Sequence, residues 1–332
     1  MKRKFVTEYA LGYMNSYSAI VTAHQLMQGG DLKKSHQDEL NKCHIYIIAA
    51  KPTTYFNPDT LKLENDLLSG EIGYKVDGKE TWVNFKDFPW KLSEGAVTIN
   101  CKYPYREVCS YNAAGEEVRY IPAYVVAHEF TDQNGLGAND LNKYEALYVG
   151  QSIGQGNRSA QQRLLSHSTL QKILALTAYD YPDKDITLLM YQFEHGNVFS
   201  SMDGRAIDAI NTEENEDRLI NAIHNPPNKK QKIGLIEAGL IRYFRPRYNE
   251  KFKIKFPSAK HKTLQSCYDL DVSALIIELD SSELNYYLYS EEVPPKNHHT
   301  AKFDLVAPQS RYSFFNATDF TPLPGIVKAE KN

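Results

Sequence analysis

Between residues 120 and 193 the apolar residues change period in a set order, and that order restricts the folds open to the chain more than any other feature. Tyr120 to Phe130 reads as a strand, a polar loop with Gly and Asn runs from Thr131 to Lys143, and Ala146 to Gly150 reads as a second strand. The two are expected to pair antiparallel. Ser159 to Tyr179 then shows helical spacing at Leu164, Leu165, His167, Leu170, Ile173, Leu174 and Leu176, and Ile186 to Phe193 is a third strand. A polar, acidic stretch, 197–228, closed by Pro226 and Pro227, reads as an insertion with a short helix of its own. Helical spacing resumes from Ile233 to Phe244. The order β-β-α-β plus a helix places the chain in the α+β class.

The flanks differ in character. Tyr13, Tyr17, Ile20, Val21 and Leu26 predict a helix between Tyr9 and Met27, closed by Gly29 and Gly30. Strand signals follow: the apolar run His44 to Ala50, a hairpin around Asp77-Gly78, and a second hairpin from Val108 past Gly115 to Val118. Residues 1–118 therefore read as a β-rich N-terminal domain, 119–256 as the central domain, and 257–332 as a C-terminal α/β extension. In and beside that extension Phe252 to Phe256, Ala274 to Leu279 and Lys302 to Val306 read as strands and Ser282 to Tyr289 as a helix.

Whole-chain charge is uninformative, at −3 over 332 residues, but local charge is not. Between Lys229 and Lys262 eleven Lys or Arg stand against two acids, Glu237 and Glu250, a footprint suited to phosphate backbones. Cys43, Cys101, Cys109 and Cys267 form no Cys-x-x-Cys pair, which suggests reduced packing residues and a cytoplasmic setting. The uncharged stretch from Tyr9 to Gly30 carries Asn15, His24, Gln25 and Gln28, too polar for a membrane span or export signal.

Two short segments carry chemistry. The first is Tyr148-Val149-Gly150-Gln151-Ser152, followed by Arg163 and His167, whose spacing of four puts both on one helix face beside the end of the preceding strand. The second runs from Glu237 through Leu240-Ile241 to Pro246-Arg247-Tyr248-Asn249, a helix with one carboxylate, ended near Pro246. Together these residues resemble the GIY-YIG nucleases. Tyr148-Val149-Gly150 resembles the second signature tripeptide, Arg163-x-x-x-His167 the catalytic helix, and Glu237 to Asn249 the metal-binding segment. Pro122-Ala123-Tyr124 stands where the first tripeptide is expected; its Gly and Ile are absent, and the family tyrosine is assigned by position to Tyr124, with Tyr120 as the alternative.

The resemblance covers roughly residues 120–250 and implies a GIY-YIG-like core, an antiparallel β-β-α-β unit plus a helix. It implies catalytic roles for Tyr124, Tyr148, Arg163, His167, Glu237 and Asn249, with Glu237 as the ligand of Mg2+, for which Mn2+ can substitute. A hard carboxylate suits Mg2+, which is commonly held by one or two carboxylates plus waters and phosphate. Arg163 offers a permanently charged fork matched to phosphate oxygens, and His167 can exchange a proton near neutrality. Either Tyr124 or Tyr148 is the candidate base, once a neighbour lowers its pKa. Arg242, Arg245, Arg247, Lys251 and Lys253 are the expected nucleic-acid contacts. Asn249 is expected to hold local backbone.

Each piece alone has a plainer reading: tyrosines in strands are usually core, Arg163 and His167 a solvated helix face, and a basic run a solvated surface. Their joint order favours a metal-dependent endonuclease acting on DNA, with duplex as the expected form and RNA a further candidate, in restriction or anti-phage defence. A homodimer would allow both strands to be cut. The rival expectation is a catalytically inactive GIY-YIG-like module that binds nucleic acid or a protein partner.

Overall fold

The computed structural model describes residues 4–28, 34–91, 95–134, 137, 139–152, 168–202, 209–258, 261–306, 314–316 and 326–327. Its first half contains β1 (Thr7–Met14), β2 (Tyr17–Thr22), α1 (Ala23–Gln28), α2 (Lys34–Lys42), β3 (Ile45–Pro52), β4 (Thr54–Phe56), β5 (Lys62–Glu64), β6 (Leu67–Val76), β7 (Lys79–Pro89), β8 (Ala96–Asn100), β9 (Glu107–Asn112), β10 (Glu117–Pro122) and α3 (Ala123–Gln133). There follow β11 (Lys143–Gln151), α4 (Ser168–Asp180), β12 (Lys184–Gln192), β13 (Gly196–Met202), α5 (Glu213–His224), α6 (Lys229–Phe244), α7 (Gln265–Asp269), β14 (Ala274–Asp280), β15 (Tyr287–Tyr289), β16 (His298–Asp304) and β17 (Ile326–Val327). Helices and strands are mixed in an α+β arrangement.

Two five-stranded sheets organise the molecule, one in the order β15-β11-β3-β12-β2 and the other β13-β1-β14-β16-β17. Helix α6 lies between them. Its Leu235, Ile236, Leu240 and Phe244 share one core with Ile47 and Val149 of the first sheet and Leu11, Ile277 and Phe303 of the second. Fully burying each such side chain contributes about 1.5–3 kcal/mol, so a helix buried on two sides draws its stability from packing. Gly239 permits the close approach: a Cβ there would overlap the Ile277 side chain and press on Phe303. On its other face the first sheet packs Tyr46, Ile48 and Met190 against Leu26, Leu40, Leu170 and Ile173 from α1, α2 and α4.

Between the neighbouring strands β3 and β11 the chain makes a long excursion through β4 to β10 and α3. This excursion has a core of its own, in which Phe56, Ile72, Phe85, Trp90, Val108, Ile121 and Val126 meet. The sheet β15-β11-β3-β12-β2 consequently draws strands from both sides of position 118.

Several expectations hold: the hairpins β6–β7 and β9–β10, strand β12, helix α5 within the acidic insertion, helix α6, and strands β14 and β16. Others need correction. The N-terminal segment is not a long helix but β1 and β2 followed by the short α1. Tyr9, Leu11 and Tyr13 are all buried, and β1 is flanked by β13 and β14, so aromatic and β-branched preference outweighs an approximate helical period. Tyr120 to Phe130 is not one strand: β10 stops at Pro122, which is extended at φ −73°, and α3 begins at Ala123. The buried Ala123, Val126 and Ala127 form a helical stripe there. The partner of β11 is therefore not this segment but β3, antiparallel, with β15 parallel on the other side.

Phe252 to Phe256 forms turns rather than a strand, with Phe252 at φ 65°. The expected helix from Ser282 divides into a 3-10 turn, Ser282–Leu284, and strand β15, separated by Asn285 in the left-handed region at φ 43°. Of the helix expected over 159–179, residues 168–179 lie in α4 and the rest fall outside the described residues.

Candidate active site

The site forms at the end of β11 that carries Tyr148-Val149-Gly150-Gln151. The ladder sets Gly150 opposite Tyr46 and Gln151 opposite Ile45 on β3, with a register shift between Ala146 and Tyr148. The Tyr46 and Tyr148 rings lie 6.3 Å apart. A side chain at Gly150 would place its Cβ 2.5 Å from the Tyr46 hydroxyl, so the glycine makes room for that phenol.

Strand β15 covers β11 only along Lys143 to Glu145. Beyond it the segment after α6 takes over the edge: the Tyr248 N–H donates to the Leu147 carbonyl at 3.0 Å. The buried Asn249 side chain accepts from the Val149 N–H at 2.9 Å and donates to the Val149 carbonyl at 2.8 Å. Asn249 thus acts as a strand's peptide would, and the backbone its side chain holds is not the local turn expected but Val149, 100 residues away.

Helix α6 starts at a reciprocal Asn228–Gln231 capping box and stops where Arg245 turns left-handed, φ 47°, before Pro246. Those ends place Glu237 mid-helix, half-buried, where its Oε2 accepts from Gln151 Nε2 at 2.7 Å. Two segments 86 residues apart are joined by that bond. Next along the chain, the Ser152 N–H donates to the His44 carbonyl at 2.8 Å, and Ser152 Oγ lies 3.2 Å from His44 Nδ1. Burial, reinforced by the nearby Lys229 and Lys232 ammonium groups, lowers the His44 pKa to about 4. His44 is therefore neutral near pH 7.

Tyr124 does not join this group. It sits in the first turn of α3, where its hydroxyl accepts from Gln25 Nε2 at 2.9 Å and its ring lies 5.2 Å from Lys51 Nζ. That ammonium also faces Tyr144, four residues before Tyr148, so Tyr124 belongs to a region about 13 Å along the strand from the Tyr148 end. Burial raises the Tyr124 pKa, against what a base requires. Tyr120 is exposed on β10. The tyrosine that meets Tyr148 is Tyr46, which sequence reasoning passed over because residues 53–142 separate its strand from β11. A signal was present in Ile45-Tyr46, at the head of a strand that is apolar through Ala50. Arg163 and His167 lie outside the described residues.

The basic residues fall into two groups. Arg242 donates to the Lys253 carbonyl at 2.8 Å and so braces the turn after α6. Arg245 pairs with Glu292 at 3.1 Å, and Arg247 with Glu291 at 3.1 Å and the Tyr181 hydroxyl at 3.0 Å. Such exposed pairs are worth little and exchange readily for phosphate. Lys251 is exposed and Lys253 half-buried.

Among the described residues no group of three or more His, Cys, Asp or Glu is placed to hold a metal ion. A Mg2+ site needs less, and a carboxylate oriented by an amide, as Glu237 is by Gln151, is a hard oxygen donor of the kind such an ion accepts. The donor chemistry fits the ion. No helix among the described residues is long and apolar enough to cross a membrane.

No protein-family model matches the chain, and comparison with curated proteins and with solved structures finds no significant match.

Proposed function

We propose that the chain is a metal-dependent endonuclease that hydrolyses DNA phosphodiester bonds, built on a GIY-YIG-like core of β3, β11, β12 and α6. The observation that carries this reading is the 2.7 Å bond joining Gln151, directly after Tyr148-Val149-Gly150, to Glu237. Its support is that two segments singled out for phosphodiester chemistry, remote in sequence, come to one strand end. In this reading His44-Ile45-Tyr46 replaces Pro122-Ala123-Tyr124 as the first tripeptide, because Tyr46 faces Gly150 and Tyr148 across the ladder.

In this scheme Glu237 would hold Mg2+, which when bound would supply charge stabilisation at the phosphoryl oxygens and lower the pKa of nearby water. The half-buried Tyr148, beside the wholly buried Tyr46, would take the proton of the attacking water as its phenolate, its own proton having passed to solvent. Arg163 binds the scissile phosphate through its fork and His167 orients the attacked group. Asn249 keeps the edge of β11 in register, and Arg245, Arg247, Lys251 and Lys253 track the backbone of a DNA duplex, with RNA as the competing polymer to test. The setting assigned to this activity is cytoplasmic restriction or anti-phage defence, with a homodimer placing one site on each strand.

The test is Mg2+- and Mn2+-dependent cleavage of a panel of duplex DNA, single-stranded DNA and RNA by the parent protein and Glu237→Gln. Cleavage by the parent, with binding but no cleavage by the variant, is the expected result. Equal, salt-sensitive binding by both without cleavage would point instead to a non-catalytic nucleic-acid-binding module.

A further inference from the structure

Glu237 reaches its place from a helix whose neighbouring Ile236, Ala238 and Leu240 are all buried, so the backbone beneath it is fixed. Its side chain still has three torsions, and an ion-binding carboxylate that samples several rotamers binds weakly. Gln151 removes that freedom. Its Nε2 lies 2.7 Å from Oε2, the length of a charge-assisted bond. Gln151 is itself held by the ladder to Ile45 and by the bond from the next residue's N–H to the His44 carbonyl at 2.8 Å.

We propose that Gln151 is a positioning residue: by holding one carboxylate oxygen of Glu237 it sets the direction in which that carboxylate meets a divalent cation. This inference rests on the nuclease reading above. Groups that orient a ligand in this way typically change metal affinity by 10- to 100-fold when removed.

The test is Mn2+ binding to the full chain without nucleic acid, read from the electron paramagnetic resonance signal of free Mn2+. Glu237→Gln is expected to lose the site. Gln151→Met, close in shape but without a donor, should bind Mn2+ about tenfold more weakly at an unchanged unfolding midpoint. Gln151→Asn, whose amide is one methylene too short to reach Glu237 Oε2, should weaken Mn2+ binding to the same extent. Parent-like affinity in Gln151→Met overturns the positioning role while leaving Glu237 as the ligand. Parent-like affinity in Glu237→Gln overturns the nuclease reading and this inference together. Should Gln151→Met fail to fold, Gln151→Asn decides, and parent-like affinity there overturns the proposal.

Discussion

The Asn249 side chain bonds both polar atoms of a single residue, Val149, accepting from its N–H at 2.9 Å and donating to its carbonyl at 2.8 Å. The end of α6 is thereby fastened to the strand that carries Tyr148 and Gly150.

Removing that fastening leaves a buried N–H and a buried carbonyl without partners. Asn249→Ala is expected to destabilise the protein by about 2–6 kcal/mol, on the basis of roughly 1–3 kcal/mol for each of the two buried groups orphaned. Urea unfolding of the two proteins checks it. A change below about 0.5 kcal/mol would mean that water or a neighbour replaces the amide.

Gly239 faces Ile277 and Phe303 across the layer between α6 and the second sheet. Gly239→Val forces them apart, with an expected cost of about 1–3 kcal/mol or more from overpacking, despite the better helix propensity of valine. A lowered midpoint in thermal unfolding is the expected result, and a raised one would contradict the contact.

His299 is almost wholly buried. Its Nε2 sits 2.9 Å and 3.0 Å from the carbonyls of Leu288 and Lys296, which places the proton on Nε2, and Nδ1 accepts from the Tyr243 hydroxyl at 3.2 Å. Burial lowers its pKa from 6.5 to about 4. A histidine depressed in the folded state stabilises it fully above pH 6.5, and that stability is lost as pH falls toward 4, because only the unfolded chain takes up the proton. The loss should be about 3.5 kcal/mol, converted at about 1.4 kcal/mol per pH unit. His299→Gln should flatten the stability profile between pH 6.5 and 4, as read by denaturant titration at each pH. His44 adds to the slope in the same window.

Lys51 is buried beneath the Tyr124 and Tyr144 rings, and burial lowers its pKa from 10.5 to about 8. The charged form is the costly one, so Lys51→Met should stabilise the protein at pH 7 by about 1–3 kcal/mol. It should also abolish the rise in stability between pH 8 and 10.5 that a depressed lysine confers as the unfolded chain keeps its proton longer. Thermal melts of both proteins across that range test the two signs together.

What could be read from the sequence was local. The hairpin at Asp77-Gly78, the strand Ile186 to Phe193 and the helix carrying Glu237 announce themselves through turn residues and periodicity. Tyr13, Tyr17 and Ile20 satisfy a helical spacing, yet they sit in two strands because neighbouring sheet positions await them, a fact held elsewhere in the chain. The candidate site was half legible: Glu237 and Asn249 both reach the β11 segment that carries Tyr148, whereas the tyrosine beside Tyr148 is Tyr46 and not Tyr124, because strand pairing across residues 53–142 leaves no trace in either strand alone.

The parallel pairing of Ala10 with Ala274 on β1 and β14 also has a consequence for synthesis. Strand β1 leaves the ribosome well before β14, the flanking partner that comes 264 residues later. At about 5–20 residues per second the nascent chain carries an unpaired, apolar strand for on the order of 10–50 s. A chaperone that shields such edges during translation should therefore raise the yield of folded protein far more than one added after release.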